Sequence, residues 1–207
     1  MAVTPETFAI VPAAGESRRM GRPKLMLPWR GRSLIEHVLA AWKASRVRAT
    51  CVVVRQEDSE LTRVAEAAGA IVVHPPIPPP DMRASVSFGL EAIRRIYNPS
   101  VDAAWLVAPA DLPELSSLVI DRLISEHAAE TNEALVPVVS GRRGHPVLLP
   151  WHWSPGINSL KADQGLNALL EAGPTKQIDC SDLLNINQLA DIDTPDDYHR
   201  LRSDDAR

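Results

Sequence analysis

Apolar residues fall in short blocks along the first 125 positions of this 207-residue chain, and the blocks alternate between two spacings. Residues 8–11 are continuously apolar, which predicts a strand buried on both faces. Over 33–45, Leu34, Ile35, Val38, Leu39 and Trp42 recur at helical spacing. Ser33 and Glu36, three positions apart, form a capping-box pattern at the start of that helix. The alternation continues with a strand at 50–54, a helix at 59–68 closed by Gly69, and a strand at 71–73. A helix over 84–97, a strand over 103–108 and a helix over 116–129 complete it.

Apolar strands separated by amphipathic helices predict an α/β fold: three layers, α/β/α, Rossmann-like, around a mostly parallel central sheet. The second half is less regular. Strands are expected at 134–139 and 146–149 around a polar turn at 140–145, a helix at 164–172, a short strand at 184–186 and a final helix at 195–201. Thr194 and Pro195 suit the N-cap and first position of that last helix. No repeat or long linker divides the chain, so one domain over 1–207 is expected. Five of the 18 prolines (Pro75, Pro76, Pro78, Pro79 and Pro80) lie in one six-residue stretch, which predicts an extended connector, suited to lining a cleft.

Net charge is −4, which argues against a general nucleic-acid binder or an anionic-membrane binder. No run of 18 apolar residues predicts a membrane span, and residues 1–8 lack the basic start of a signal peptide. A cytoplasmic location is the default expectation. Cys51 and Cys180 sit in no metal-binding or redox spacing.

Ligands of such sheets bind beyond the carboxyl ends of the strands. Two loops with unusual chemistry fall there. Between the first strand and first helix runs Pro12-Ala13-Ala14-Gly15-Glu16-Ser17-Arg18-Arg19-Met20-Gly21-Arg22-Pro23-Lys24. Its small residues permit close backbone approach to a ligand, and its N–H groups can face anionic oxygens. Arg19 offers a fork and Lys24 a point charge, so a polyphosphate is the expected ligand. Neither a P-loop nor a GxGxxG dinucleotide fingerprint is present. After the fourth strand, Asp111 stands in Pro109-Ala110-Asp111-Leu112-Pro113. Beside a triphosphate it could hold Mg²⁺; the residues alone favour an Asp that merely turns the chain before the next helix.

The first loop resembles the L-A-A-G-x-S-x-R-M-G-x-x-K signature of the MobA-like nucleotidyltransferases, with Pro12 in place of Leu. Within them it looks most like the molybdenum-cofactor (CTP:molybdopterin) cytidylyltransferases, whose P-A-D-Q-P is similar to the Asp111 motif, with Leu112 replacing Gln. Asp191-Ile192-Asp193-Thr194-Pro195 is similar to the family's D-I-D-T-P, and the match makes Asp193 a second metal ligand. Asp81-Met82-Arg83-Ala84-Ser85 resembles G-M-x-x-S, placing Asp81 and Ser85 at the nucleotide. Arg143-Gly144-His145-Pro146-Val147 follows R-G-H-P-V, and Asp163-Gln164-Gly165 lies in a segment similar to L-x-G-D-x-G-A-R, which implicates His145 and Asp163 in acceptor binding. There Asn167 replaces the family's Arg.

The resemblance implies a Mg²⁺-dependent enzyme of the nucleotidyltransferase fold. Lys24, Arg19 and Asp111 would be catalytic. Ala13, Ala14, Gly15, Ser17, Arg19, Lys24, Asp81 and Ser85 would bind nucleotide, and Asp111 with Asp193 the metal. The nucleotide part would occupy about 7–130 and the acceptor part about 131–202. CTP is favoured because Ala14 stands where the family's guanylyltransferases carry Gly. The acceptor implied is molybdopterin, with a molybdoenzyme or cofactor-insertion protein as partner. A sugar- or polyol-phosphate acceptor, or a non-catalytic nucleotide-binding module, are the alternatives.

Overall fold

The computed structural model describes residues 5–17, 20–127, 132–161 and 164–204. Strands β1 (Thr7–Pro12), β4 (Ala49–Val53), β5 (Ile71–Val73) and β6 (Ala104–Val107) pair in parallel, in the order β6-β1-β4-β5. Beyond β6 the sheet continues through β9 (Val147–Pro150), β7 (Ala134–Val139) and β10 (Thr175–Asp179). β9 runs antiparallel to β6 and β7, whereas β10 is parallel to β7. The two-residue β8 (Arg142–Arg143) pairs with β7, and a small separate hairpin joins β2 (Pro28–Trp29) to β3 (Arg32–Ser33).

The apolar strands are buried on both faces because helices cover both. From β1, Ala9 and Val11 face α1 (Leu34–Ala44), α2 (Ser59–Ala67) and α4 (Ser117–Glu126). Phe8 and Ile10 face α3 (Met82–Tyr97) and α5 (Asn167–Ala172). This is the expected three-layer, mostly parallel architecture. Ser33 and Glu36 make the predicted capping box, each satisfying a backbone donor of the first turn of α1.

A third, smaller cluster lies outside the layers. Met20, Leu27, Trp29, Leu34, Ile192 and Tyr198 bury together where α6 (Pro195–Asp204) docks on the β2–β3 hairpin. The Tyr198 hydroxyl donates to the Pro28 carbonyl at 2.5 Å, and Thr194 and Asp197 cap α6 as a reciprocal pair. The C-terminal segment is therefore held beside the first loop.

Several expectations change. Residues 184–186 form no strand: Leu184 follows a turn, and a 3₁₀ segment begins at Ile186. The additional strand is instead β10, whose sequence TKQID buries only Ile178 well, so alternation is hardly visible in it. The helix expected at 164–172 starts at Asn167, and α3 starts two residues early because the Asp81 carboxylate accepts from the Ala84 N–H at 2.7 Å. Residues 151–159 make an unforeseen 3₁₀ segment that contains Pro155. The expected helix at 116–129 is seen as α4 to Glu126; residues 128 and 129 lie outside the described residues.

Gly89 lets α3 approach the sheet. A β-carbon there would lie 2.8 Å from Ile10 Cγ2 and 3.3 Å from Val53 Cγ2. Both are branches of stiff core side chains that cannot swing aside. Gly89→Ala is therefore expected to lose about 1–3 kcal/mol of stability from overpacking, outweighing the ~1 kcal/mol that Ala gains in helix propensity. Urea unfolding followed by circular dichroism checks this; a more stable variant would contradict the packing.

Candidate active site

β1 and β6 are parallel neighbours with Ile10 opposite Val107, so the loops that follow them emerge side by side. The first loop is tied down at its start by the Ala13 N–H donating to the Val53 carbonyl at 2.9 Å. Ser17 takes a left-handed conformation at φ 52°, and its hydroxyl oxygen accepts from the Lys24 N–H at 3.2 Å. Its carbonyl accepts from Met20, so Ser17 folds the loop back and fixes where Lys24 begins. Gly21, at φ 63°, completes the reversal.

Lys24 then reaches across. Its Nζ donates to Asp111 Oδ2 at 2.5 Å and to Asp193 Oδ1 at 3.1 Å. The Lys24 and Asp111 side chains are 13% and 15% exposed and Asp193 34%, so the ammonium and Asp111 are largely withdrawn from water. The C-terminal segment is brought in by the Ile192 N–H, which donates to the Asp111 carbonyl at 3.2 Å. Burial pushes the Asp111 carboxyl above its ordinary range; the Lys24 charge and hydrogen bond oppose this, while Asp191 reinforces it.

These groups line a cleft of about 590 Å³. Of the residues expected at a nucleotide, it brings together Ala13, Ala14, Gly15, Ser17, Lys24, Asp81 and Ser85, with Asp111 and Asp193. A β-carbon on Gly15 would meet no atom of the described residues within 4 Å, so open space lies beside it. Ser85 is buried, and its hydroxyl leans toward the Asp81 carbonyl at 3.4 Å. Asp81 caps α3 and also pairs with Arg83, which makes it part of the helix start as well as of the cleft wall. Arg19 and Asp163 lie outside the described residues.

His145 lies elsewhere, in an adjoining cavity of about 420 Å³ that shares Asp81, Met82 and Pro109 with the cleft. The His145–Pro146 peptide is cis. Its imidazole opens to the cavity, yet surrounding protein holds its pKa below the usual value against the pull of Asp191 and Asp111. It is therefore neutral near pH 7. Val107, Val147, Leu149, Leu166 and Leu170 give this cavity apolar walls, with Gln164 and Asn167 among its polar groups.

Asp111 and Asp193 fit a hard divalent cation. Asp111 Oδ1 is buried without a hydrogen-bond partner among the described residues, and Asp193 approaches the same ammonium. No group of three or more His, Cys, Asp or Glu able to hold a metal exists among the described residues. A site of two carboxylates completed by phosphate oxygens and water suits Mg²⁺-type ions rather than a closed protein cage. Sequence reading did not single out Arg55, which lines the cleft from the end of β4, although a cation just past a strand end was the available signal. The proline run does line the cleft, through Pro78, Pro79 and Pro80.

Residues 9–178 match the family model of the MobA-like NTP transferase domain. The chain belongs to this family. The purine catabolism protein PucB of Bacillus subtilis is 29% identical over 96% of this chain and 97% of its own length. A molybdenum cofactor guanylyltransferase of Xanthomonas euvesicatoria is 33% identical over 56% of this chain and 52% of its own. A 2-C-methyl-D-erythritol 4-phosphate cytidylyltransferase of Azoarcus is 37% identical over 65% and 58%. Among solved structures, Rv0371c of Mycobacterium tuberculosis superposes with a TM-score of 0.78 at 21% identity, covering 96% of this chain and 98% of that one. A manganese complex of Rv0371c gives 0.73 at 20%, covering 95% and 97%. The sheet and its flanking helices are thus the Rossmann-like fold of nucleotidyltransferases. Among the described residues, no helix is long and apolar enough to cross a membrane.

The raised Asp111 pKa carries a stability consequence. Above that pKa the native state holds a carboxylate it disfavours relative to the unfolded chain, so ionised Asp111 subtracts from stability at neutral pH. The parent is therefore expected to gain stability relative to Asp111→Asn as pH falls from 7 through the raised pKa toward the ordinary carboxylate value, where the native state binds the proton first. This slope is separate from the pH-independent cost to the variant of leaving Lys24 with Asp193 alone. Melting curves from pH 7 to 4 test this, and an Asn variant less stable at pH 7 than at pH 4, relative to the parent, would refute it.

Proposed function

We propose that this protein is a Mg²⁺-dependent cytidylyltransferase that moves CMP from CTP to a phosphate oxygen of molybdopterin, releasing pyrophosphate. The observation that carries the reading is the junction of Lys24 with Asp111 and Asp193 beside the small-residue turn, within a cleft of about 590 Å³. That volume accommodates a nucleoside triphosphate.

In this reading the backbone of Ala13, Ala14 and Gly15 lies along the triphosphate, with Arg19 and Lys24 supplying charge. Asp81 and Ser85 face the nucleoside from the start of α3. Asp111 and Asp193 would hold Mg²⁺, which would supply Lewis-acid polarisation of the α-phosphoryl group and offset charge on the departing pyrophosphate. The acceptor phosphate oxygen attacks the α-phosphorus in line, and the bond from that phosphorus to the oxygen bridging to the β-phosphate breaks. Lys24 orients the chain of phosphates and neutralises it; no covalent protein intermediate is needed.

The adjoining cavity takes the body of the acceptor. Its apolar walls suit a flat heterocycle, and neutral His145, Gln164 and Asn167 suit its polar edge, with Asp163 nearby in sequence. The nucleotide part at about 7–130 and the acceptor part at about 131–202 form one domain whose halves interlock: Asp193 reaches the nucleotide cleft and Asp81 borders the acceptor cavity. Molybdopterin as acceptor is supported by the Xanthomonas relative, and CTP by the Azoarcus relative and by Ala14, a cleft-lining residue that stands where the family's guanylyltransferases carry Gly.

Pyrophosphate release with each of the four NTPs, Mg²⁺ and molybdopterin tests the assignment. CTP is expected to turn over fastest; preference for GTP, the nucleotide base in the name of the Xanthomonas relative, would replace the CMP assignment with a GMP one. Lys24→Ala and Asp111→Ala are each expected to slow turnover by about 100-fold or more with the fold intact by circular dichroism. Turnover by either variant at the parent rate would remove the proposed chemistry.

A further inference from the structure

Among the described residues, the lining of the cleft carries four carboxylates, Glu16, Asp81, Asp111 and Asp193, and two basic side chains, Lys24 and Arg55. Lys24 is already bound to Asp111 and Asp193. A triphosphate brings three to four negative charges, spread over more length than Lys24 can reach, so a cation further along the cleft would find a phosphate to bind.

Arg55 is placed to be that cation. It lies two residues beyond the end of β4, the parallel neighbour of β1, and Val54 is anchored to the Val73 carbonyl at 2.9 Å. A second cavity of about 190 Å³ lies against the same loop, lined by Gly15, Ser17, Arg22 and Lys24, and Arg55 lines this cavity as well as the main cleft. The guanidinium therefore stands beside the phosphate turn where the two spaces meet. Its Nε is buried and has no hydrogen-bond partner among the described residues. It forms an ion pair with Glu57 at 3.4 Å, a side chain 63% exposed, and such a contact is weak enough to be exchanged for a phosphate.

We infer that Arg55 binds the terminal phosphates of the nucleotide and then the leaving pyrophosphate. This rests on the transferase reading above but concerns a residue that reading does not use, and it does not depend on which base is bound. The planar fork of Arg55 can meet two phosphate oxygens at once through its terminal nitrogens. Lys24 and the two carboxylates remain with the α-phosphate, while Arg55 takes the far end of the chain, at the smaller cavity.

The test compares ligands of different phosphate number. Calorimetric titration of the full chain with CTP, GTP, pyrophosphate and CMP in Mg²⁺ is run on the parent, Arg55→Gln and Arg55→Lys, with melting curves to verify folding. Arg55→Gln is expected to bind triphosphate and pyrophosphate about ten- to hundredfold more weakly and CMP unchanged; Arg55→Lys recovers part of the loss. Parent-like triphosphate affinity in Arg55→Gln overturns the inference and leaves the transferase reading standing. An equal loss for CMP also overturns it, because the residue would then act through the shape of the loop. A parent protein that binds neither triphosphate overturns both.

Discussion

An ammonium between two carboxylates is the constraint around which this molecule is arranged. Lys24, Asp111 and Asp193 come from three distant parts of the chain and meet where water is largely excluded. Removing charges from water costs several kcal/mol per ion, and their mutual attraction offsets this only when the geometry is good. The rest of the structure supplies that geometry. Ser17 and Gly21 turn the first loop, β6 delivers Asp111, and the Ile192 and Tyr198 contacts deliver Asp193. Burial still leaves the Asp111 carboxyl less acidic than usual, so the arrangement retains a local energetic cost. Such a cost is common where a site is built for a ligand that is itself charged.

The sheet explains why two cavities adjoin. β6 is the point at which the parallel half, β1-β4-β5, meets the mixed half, β9-β7-β10. The loop after β6 therefore lies between the loop that follows β1 on one side and the His145 turn on the other. Pro109 lines both cavities, as do Asp81 and Met82 from the start of α3. Two substrates bound in them would meet across this short border. Proximity of that kind is what phosphoryl transfer needs most, since it is governed by positioning and charge.

Much of the fold was legible because its strands and helices differ sharply in period. The runs at 8–11, 51–54 and 103–108 are apolar throughout, and Leu34 to Trp42 repeats at helical spacing, so alternation alone implied a parallel, helix-covered sheet. β10 escaped notice because an edge strand with one well-buried position leaves little signal. The start of α3 was set by the Ala84 N–H donating to the Asp81 carboxylate, a contact that propensity does not report. In the cleft, Lys24 and Asp111 could be named from loop composition, and Asp193 from resemblance. That all three share one contact depends on packing by α6, and Arg55 depends on the order of strands, which no local pattern encodes.

The docking of α6 has a temporal consequence. Ribosomal synthesis delivers Lys24 and Asp111 long before Asp193, and the sheet neighbours β1, β4, β5 and β6 are all complete by then. A nascent chain can thus form the turn at Ser17 and Gly21 while the second carboxylate is still unmade. Closure of the charge triad waits for the segment that docks Tyr198 on the β2–β3 hairpin, and a product terminated before that segment would keep the turn without the residues that finish the centre.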